Sequence, residues 1–243
     1  SRIITPDARS SCMAEDTPEQ ERLAEQRDDL RLLNQVMRHD IRNDLQLIGA
    51  YAELLEDHVD EEGEEYLDII KESTESATDL TTTARDLARV MLDADSEVRS
   101  VSIEGVLAQQ VEELRSGHPG AVVAIEGSIP DVEVAGNDML GSVFRNLLAN
   151  AIQHNDETPP KVTVSAAERD GVVEVRVADN GSGVPDAQKE EIFGRGEKGL
   201  ESSGAGIGLY LVQSLVDTYG GDVFVEDNEP EGAVFVVELP IAE

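Results

Sequence analysis

The sequence predicts an α+β protein: a helical hairpin that pairs with a second copy as a four-helix bundle, followed by an α/β sandwich with a mixed sheet. Two observations carry this. Residues 18–93 are poor in glycine and space their apolar side chains at helical intervals. From about residue 98, short alternating strands and amphipathic helices take over, the texture of helices layered on a sheet. The change falls in DADSEVR, so the chain divides into a loose linker or disordered segment 1–17, a helical hairpin 18–95 and an α/β domain 98–243.

In the hairpin, Leu30, Leu33, Met37, Ile41, Leu45, Ile48, Ala52, Leu55 and Val59 form one stripe. A second runs through Tyr66, Ile70, Ser73, Ala77, Leu80, Ala84, Leu87 and Met91 in alternating steps of four and three, a heptad seam. HVDEEGEEY lies between them, with Gly63 placed to turn the chain. Two seams in one hairpin leave apolar surface over, and a homodimeric bundle would bury it.

In the second part, VSIEGVLAQQVEEL reads as a short strand running into a helix, and AVVAIEG and VEVAG alternate like strands. NDMLGSVFRNLLANAIQHN is an amphipathic helix with Asn137 or Asp138 as its cap. KVTVSAAERDGVVEVRVADNG is a hairpin around Arg169-Asp170-Gly171, AQKEEIF a short helix, and 194–206 a glycine-rich loop. IGLYLVQSLVDTYGG is a helix closed by glycine, followed by strands DVFVED and AVFVVEL.

Of the 243 residues, 52 are acidic and 19 basic, for a net charge of −33, while 40% are hydrophobic. The acids are spread along the chain, which argues against a disordered acidic tail. Charge repulsion of this size destabilises a compact state at low salt, and screening relieves it at high salt. Adaptation to a salt-rich cytoplasm is therefore expected. Direct nucleic-acid binding is disfavoured, because it draws on clustered Lys and Arg. No apolar run reaches the roughly 18–20 residues of a membrane span. The single cysteine, Cys12, fits a reducing cytoplasm.

Four segments carry polar or glycine chemistry beyond packing. In FRNLLANAIQHN, Asn146 and Asn150 stand four apart beside the apolar face. They serve as structural hydrogen bonders, or Asn150 offers its carbonyl oxygen to a hard metal such as Mg²⁺. ADNGSGVP is an ordinary turn, or a site where Asp179 accepts from an exocyclic amine and Gly181 and Gly183 let backbone approach a flat ring. In GAGIGLYLV, Gly204, Gly206 and Gly208 lead into a helix whose free N–H groups suit phosphate. In RHDIRNDLQLI, His39 lies roughly 160° from the stripe centred on Ile41 and Ile48, with Asn43 one turn along the same side. Asp40 sits beside it, able to hold the ring tautomer or take the ring proton.

The three segments of the second half, in this order and spacing, resemble the asparagine box and the two glycine boxes of the ATP-binding domain shared by histidine kinases, type II topoisomerases, mismatch-repair ATPases and heat-shock chaperones. EIFGRGEKG, with Phe193, resembles the F box of the kinases, and HDIRN resembles their H box. The resemblance covers residues 20–240 and implies the catalytic core of a cytoplasmic, haloarchaeal-like sensor histidine kinase with a Bergerat-type ATP domain. It implies that Asp179 reads adenine, that Asn150 with Asn146 engages Mg²⁺, and that residues 194–206 form a mobile lid. It further implies His39 as phosphoacceptor, Asp40 as general base, Asn43 as the residue positioning water in dephosphorylation, and a response regulator receiver domain as partner.

The ATPase branches carry a glutamate where this chain has Asn146, so transfer to an acceptor is favoured over hydrolysis. His154 faces phosphate or ends the helix; Arg195 and Lys198 contact the triphosphate or serve solubility. The rival expectations are a nucleotide-binding scaffold or phosphatase-dominant partner, and a conformational ATPase of the same superfamily.

Overall fold

The computed structural model describes residues 41–92, 97–194 and 205–242. His39, Asp40, Arg195, Lys198 and Gly204 lie outside the described residues.

Helix α1 is described over residues 41–55 and ends in a 3-10 turn at Glu56–His58. The chain reverses and continues as α2, Glu61–Leu92. Small residues govern how the two helices meet. Gly49 brings α1 close to Thr74, and Ala52 and Leu67 are buried in the same contact. The hydroxyls of Thr74, Thr78 and Thr81 donate to the carbonyls of Ile70, Thr74 and Ala77 one turn back, so they pack without leaving a donor unpaired. The heptad seam is not what the chain buries against itself: Tyr66, Ile70, Leu80 and Met91 are exposed, as are Ile41, Ile48 and Leu55 of the first stripe. The buried residues of α2 are Leu67 and Thr74, together with Thr83 and Asp86, which bond side chains of the α/β part; three of the four are polar. The large apolar residues are thus held back on an outward face, the surplus that a four-helix bundle would cover.

The α/β part contains β1 (Arg99–Ser102), α3 (Ile103–Gly117), β2 (Val122–Ile125), β3 (Glu133–Gly136), α4 (Leu140–Gln153), β4 (Lys161–Arg169), β5 (Val172–Asp179), α5 (Ala205–Thr218), β6 (Asp222–Asp227) and β7 (Ala233–Pro240). Five strands form one sheet in the order β2-β4-β5-β7-β6, parallel between β2 and β4 and antiparallel elsewhere. β1 and β3 pair separately. The β4–β5 turn is Asp170-Gly171, both at positive φ (47° and 87°), the geometry that matches strand twist in a two-residue hairpin.

Helices α3, α4 and α5 pack on one face of the large sheet. Val162 and Val164 of β4, Val173, Val175 and Val177 of β5 and Val237 and Leu239 of β7 meet Leu107 and Val111 of α3, Phe144, Leu147 and Leu148 of α4 and Leu211 and Leu215 of α5. Each fully buried side chain of this size contributes roughly 1.5–3 kcal/mol. β5 also carries ionic residues: Glu174 pairs with Arg169 and Arg176, and Arg176 also reaches Glu226.

Two local expectations are corrected. Asn137 stabilises the entry to α4 from outside it, because its side chain accepts from the Met139 N–H at 2.9 Å and the Tyr219 hydroxyl at 2.6 Å. Asp138 is not a cap either; it is ion-paired with Arg99. AQKEEIF forms consecutive turns rather than a helix. There the Lys189 ammonium bridges Asp186 and Asp227 at 2.6 and 2.8 Å, a tie to β6 that holds the segment as turns. α5 closes as the glycines suggest: Gly220 has φ +74°, its N–H donates to Asp217 and that of Gly221 to Val216, a Schellman pair.

Candidate nucleotide site

Asp179 ends β5, where the strand leaves the sheet, and is 8% exposed. Its Oδ1 accepts from the backbone N–H of Gly181 at 2.9 Å and of Ala233 at 3.2 Å. Both bonds fall on Oδ1, so Oδ2 has no donor among the described residues. Burial pushes the carboxyl above the ordinary aspartate value of 3.8, opposed by the two N–H donors. A buried carboxylate with one oxygen to spare suits an amine-bearing flat ring.

The backbone around Asp179 is crowded to a degree only glycine permits. Gly183 has φ +74°, and a Cβ there would come within 2.8 Å of the Gly232 carbonyl oxygen. Gly232, at φ +120°, has no room for a Cβ against the Asp179 carbonyl. A Cβ on Gly181 would meet Asp179 Oδ1 at 3.3 Å and Asn155 Cα at 3.4 Å. The sequence pointed to Gly181 and Gly183. It did not point to Gly232, nor to Asn228, whose side-chain amide donates to the Asp179 carbonyl at 2.6 Å. Both lie in NEPEG between β6 and β7, a turn whose proximity to Asp179 follows only from strand register.

Asn180 joins this loop to α4. Its Oδ1 accepts from the Asn155 amide at 2.9 Å and from the Lys161 N–H at 2.6 Å. Asn155 also donates to the Ala151 carbonyl in the last turn of α4. One oxygen atom therefore holds together the C-terminal end of α4, the start of β4 and the end of β5.

On α4, the two asparagines behave differently. Asn150 is half-buried, and its Nδ2 is buried with no partner among the described residues. A buried amide nitrogen with no protein partner is a group that a ligand can satisfy. Rotating the amide by half a turn presents Oδ1 at the same place, which fits a hard cation. Asn146 instead has a protein partner at each end: its Nδ2 donates to the Ser142 carbonyl at 2.7 Å, and its Oδ1 accepts from the Thr83 hydroxyl at 3.3 Å. A Cβ at Gly208 would stand 2.8 Å from that Oδ1, so α5 passes against it closely enough to require glycine.

His154 is the C-cap residue of α4 and acts through its backbone, with N–H to the Asn150 carbonyl. Its side chain is exposed. Phe193 is buried, edge-on to Phe235 at 6.2 Å between centroids, and anchors the chain just before residue 195 to the sheet. Gly206 and Gly208 lie in the first turn of α5, whose N-terminus carries partial positive charge. Asn43 is exposed on α1. A cavity of about 520 Å³ touches the Gly181–Pro185 loop, but neither Asp179 nor Asn150 lines it. Its wall holds Asp156, Glu157, Asp227 and Glu231, which would repel a triphosphate.

Two families match the chain. The family described as histidine kinase-, DNA gyrase B- and HSP90-like ATPase matches residues 136–243. The His Kinase A (phospho-acceptor) domain matches residues 29–91. These are the two domains of a sensor histidine kinase catalytic core.

The chain is 31% identical over 213 residues to Sensor protein DivL of Caulobacter vibrioides, a match covering 83% of this chain and 27% of DivL. It is 30% identical over 211 residues to the sensor-type histidine kinase PrrB of Mycobacterium tuberculosis, covering 84% of this chain and 46% of PrrB. The chain thus spans about a quarter to a half of these relatives' length. Among solved structures, full-length ShkA in complex with AMPPNP superposes with a TM-score of 0.60 at 29% identity, over 86% of this chain and 46% of ShkA. The ATP-binding domain of PrrB gives 0.51 at 27% identity, over 60% of this chain and 98% of that domain. Among the described residues, no helix is long and apolar enough to cross a membrane.

Proposed function

We propose that this kinase core transfers the γ-phosphoryl group of ATP to His39 and passes it on to an aspartate of a response regulator receiver domain. The observation that carries the reading is Asp179, a buried carboxylate with one oxygen left for a ligand, in a chain that also matches a phospho-acceptor domain. In the transfer, a ring nitrogen of His39 forms a bond to the γ-phosphorus as the bond to the ADP oxygen breaks. Asp40 takes the ring proton, and Asn43 orients water when the regulator is dephosphorylated. Asp179 fixes the adenine, Phe193 anchors the chain before the lid, the N-terminus of α5 with Gly206 and Gly208 meets the phosphates, and Arg195, Lys198 and Gly204, outside the described residues, are assigned to the same role by their motif. Mg²⁺, held through Asn150, supplies charge neutralisation at the phosphate oxygens. Hydrolysis is disfavoured because Asn146, where a carboxylate would activate water, is an amide whose two ends are occupied.

His39→Gln is expected to abolish acid-labile labelling from γ-labelled ATP while leaving ATP affinity unchanged. Label retained by the variant would reject His39, and steady ATP turnover without phosphohistidine would favour the conformational ATPase. A chain that binds ATP and never labels would be the scaffold or phosphatase-dominant partner.

The apolar face of the hairpin supports a homodimer. The charge of −33 supports a salt-rich cytoplasm as the setting. A melting temperature that climbs steeply between low salt and about 2 M KCl is expected from relief of self-repulsion; an unchanged one would reject that setting.

A further inference from the structure

The contact between α2 and α4 is polar, buried at its centre and arranged in rungs. The Gln153 amide donates to Asp79 at 3.1 Å, the Thr83 hydroxyl to Asn146 Oδ1 at 3.3 Å, and Ser142 and Arg145 to Asp86 at 2.8 and 2.5 Å. Asp79, Thr83 and Asp86 stand four and three apart, so they form one stripe along α2. The partners run in the opposite direction on α4. Beyond these rungs, Leu87 and Val90 pack into the core of the α/β part, where α2 lies chiefly against α5. Asp86 is 4% exposed and Asn146 8%. An ionised carboxylate is not kept at this depth without partners, and here Arg145, Ser142 and Arg85 all supply hydrogen bonds.

The consequence lies at Asn146. With Nδ2 given to Ser142, Oδ1 accepting from Thr83 and α5 packed against it at Gly208, this amide turns both ends to protein partners, whereas Asn150 one turn on keeps an unpartnered amide. We propose that α2 clasps α4 through Asp79, Thr83 and Asp86 and competes with metal-bound nucleotide for Asn146, so that the docked hairpin holds the ATP site in a low-affinity state. This rests on the reading above that the face of α4 bearing Asn150 takes metal and nucleotide. Withdrawal of α2 frees the Asn146 carbonyl oxygen to join Asn150, and binding of metal-nucleotide in turn disfavours the docked arrangement.

The test uses the whole chain and a fluorescent ATP analogue, titrated with Mg²⁺ and again in excess EDTA. Asp86→Asn keeps the shape and removes the charge that Arg145 pairs; Thr83→Val keeps the shape and removes the hydroxyl. If the clasped state makes up about nine-tenths of the population, opening it tightens apparent binding about tenfold. Both variants are expected to show that gain with Mg²⁺ and none in EDTA. Thr83→Val alters no charge, so its gain cannot come from relieved repulsion of the triphosphate. Unchanged or weaker affinity in Thr83→Val, or equal tightening with and without Mg²⁺, overturns the clasp. Asn150→Ala separates the two levels. If it binds the Mg²⁺ complex as wild type does, the nucleotide reading has failed and the clasp with it. If it loses binding while both clasp variants match wild type, only the clasp has failed.

Discussion

Asp179→Asn is expected to leave the ATP-binding domain folded and to weaken ATP binding by about 100-fold, roughly 2.7 kcal/mol. The reason is which oxygen the protein uses. Gly181 and Ala233 both donate to Oδ1. In the asparagine variant the carbonyl oxygen must stay there to accept those bonds, which turns the NH₂ toward the ligand. An amine on the base then meets a donor instead of an acceptor. Stability should hold or rise. Burial raises the Asp179 pKa in the folded state, so the ionised form is disfavoured by folding and its charge lowers stability at neutral pH. Removing the charge removes that cost. The same shift gives a pH dependence: as pH falls, Asp179 takes up its proton above the ordinary value of 3.8, and ATP affinity falls with it. Calorimetric titration beside a denaturation curve measures both sides. A variant that unfolds, or one that binds ATP like wild type, contradicts the assignment.

Gly232→Ala is expected to destabilise the domain by roughly 4 kcal/mol, combining left-handed backbone strain with direct overlap. Gly232 has φ +120°, and a Cβ there would collide with the carbonyl of Asp179 and press on Asn180. Gly127→Ala is the matched control: φ is again positive, at +78°, but nothing lies within 4 Å of the added atom. It should cost only about 1 kcal/mol. Urea unfolding of the two variants separates backbone conformation from crowding. Similar losses in both would mean that the β6–β7 turn yields easily and does not fix the position of Asp179.

These two positions also show where the sequence was readable. α4 was legible because its apolar spacing is dense and uninterrupted, and the Asp170-Gly171 turn because few residue pairs tolerate two positive φ values. Asp179, Gly181 and Gly183 were legible because they are contiguous. Gly232 and Asn228 were not, since nothing local distinguishes NEPEG from any surface turn until β7 pairs beside β5. The buried face of α2 was missed for a different reason. Periodicity searches for apolar side chains, and at Thr74, Thr83 and Asp86 this helix buries polar ones whose partners lie one turn back or on another helix. AQKEEIF has helical composition, but ion pairs to Asp186 and Asp227 held its lysine in a turn.

The shared oxygen of Asn180 makes one of two ties on α4. At its C-terminal end, Asn155 fastens the helix to the strands that carry Asp179. Toward its N-terminal end, Leu140, Val143 and Phe144 are sunk in the core, while Ser142 and Arg145 bond Asp86 of α2. Fourteen residues make a rod of about 21 Å, tied to the strands of Asp179 at one end and to the hairpin at the other. Because both ends are seated, α4 cannot yield at one without carrying the strain to the other, and it works as a strut between the hairpin and the loop around Asp179.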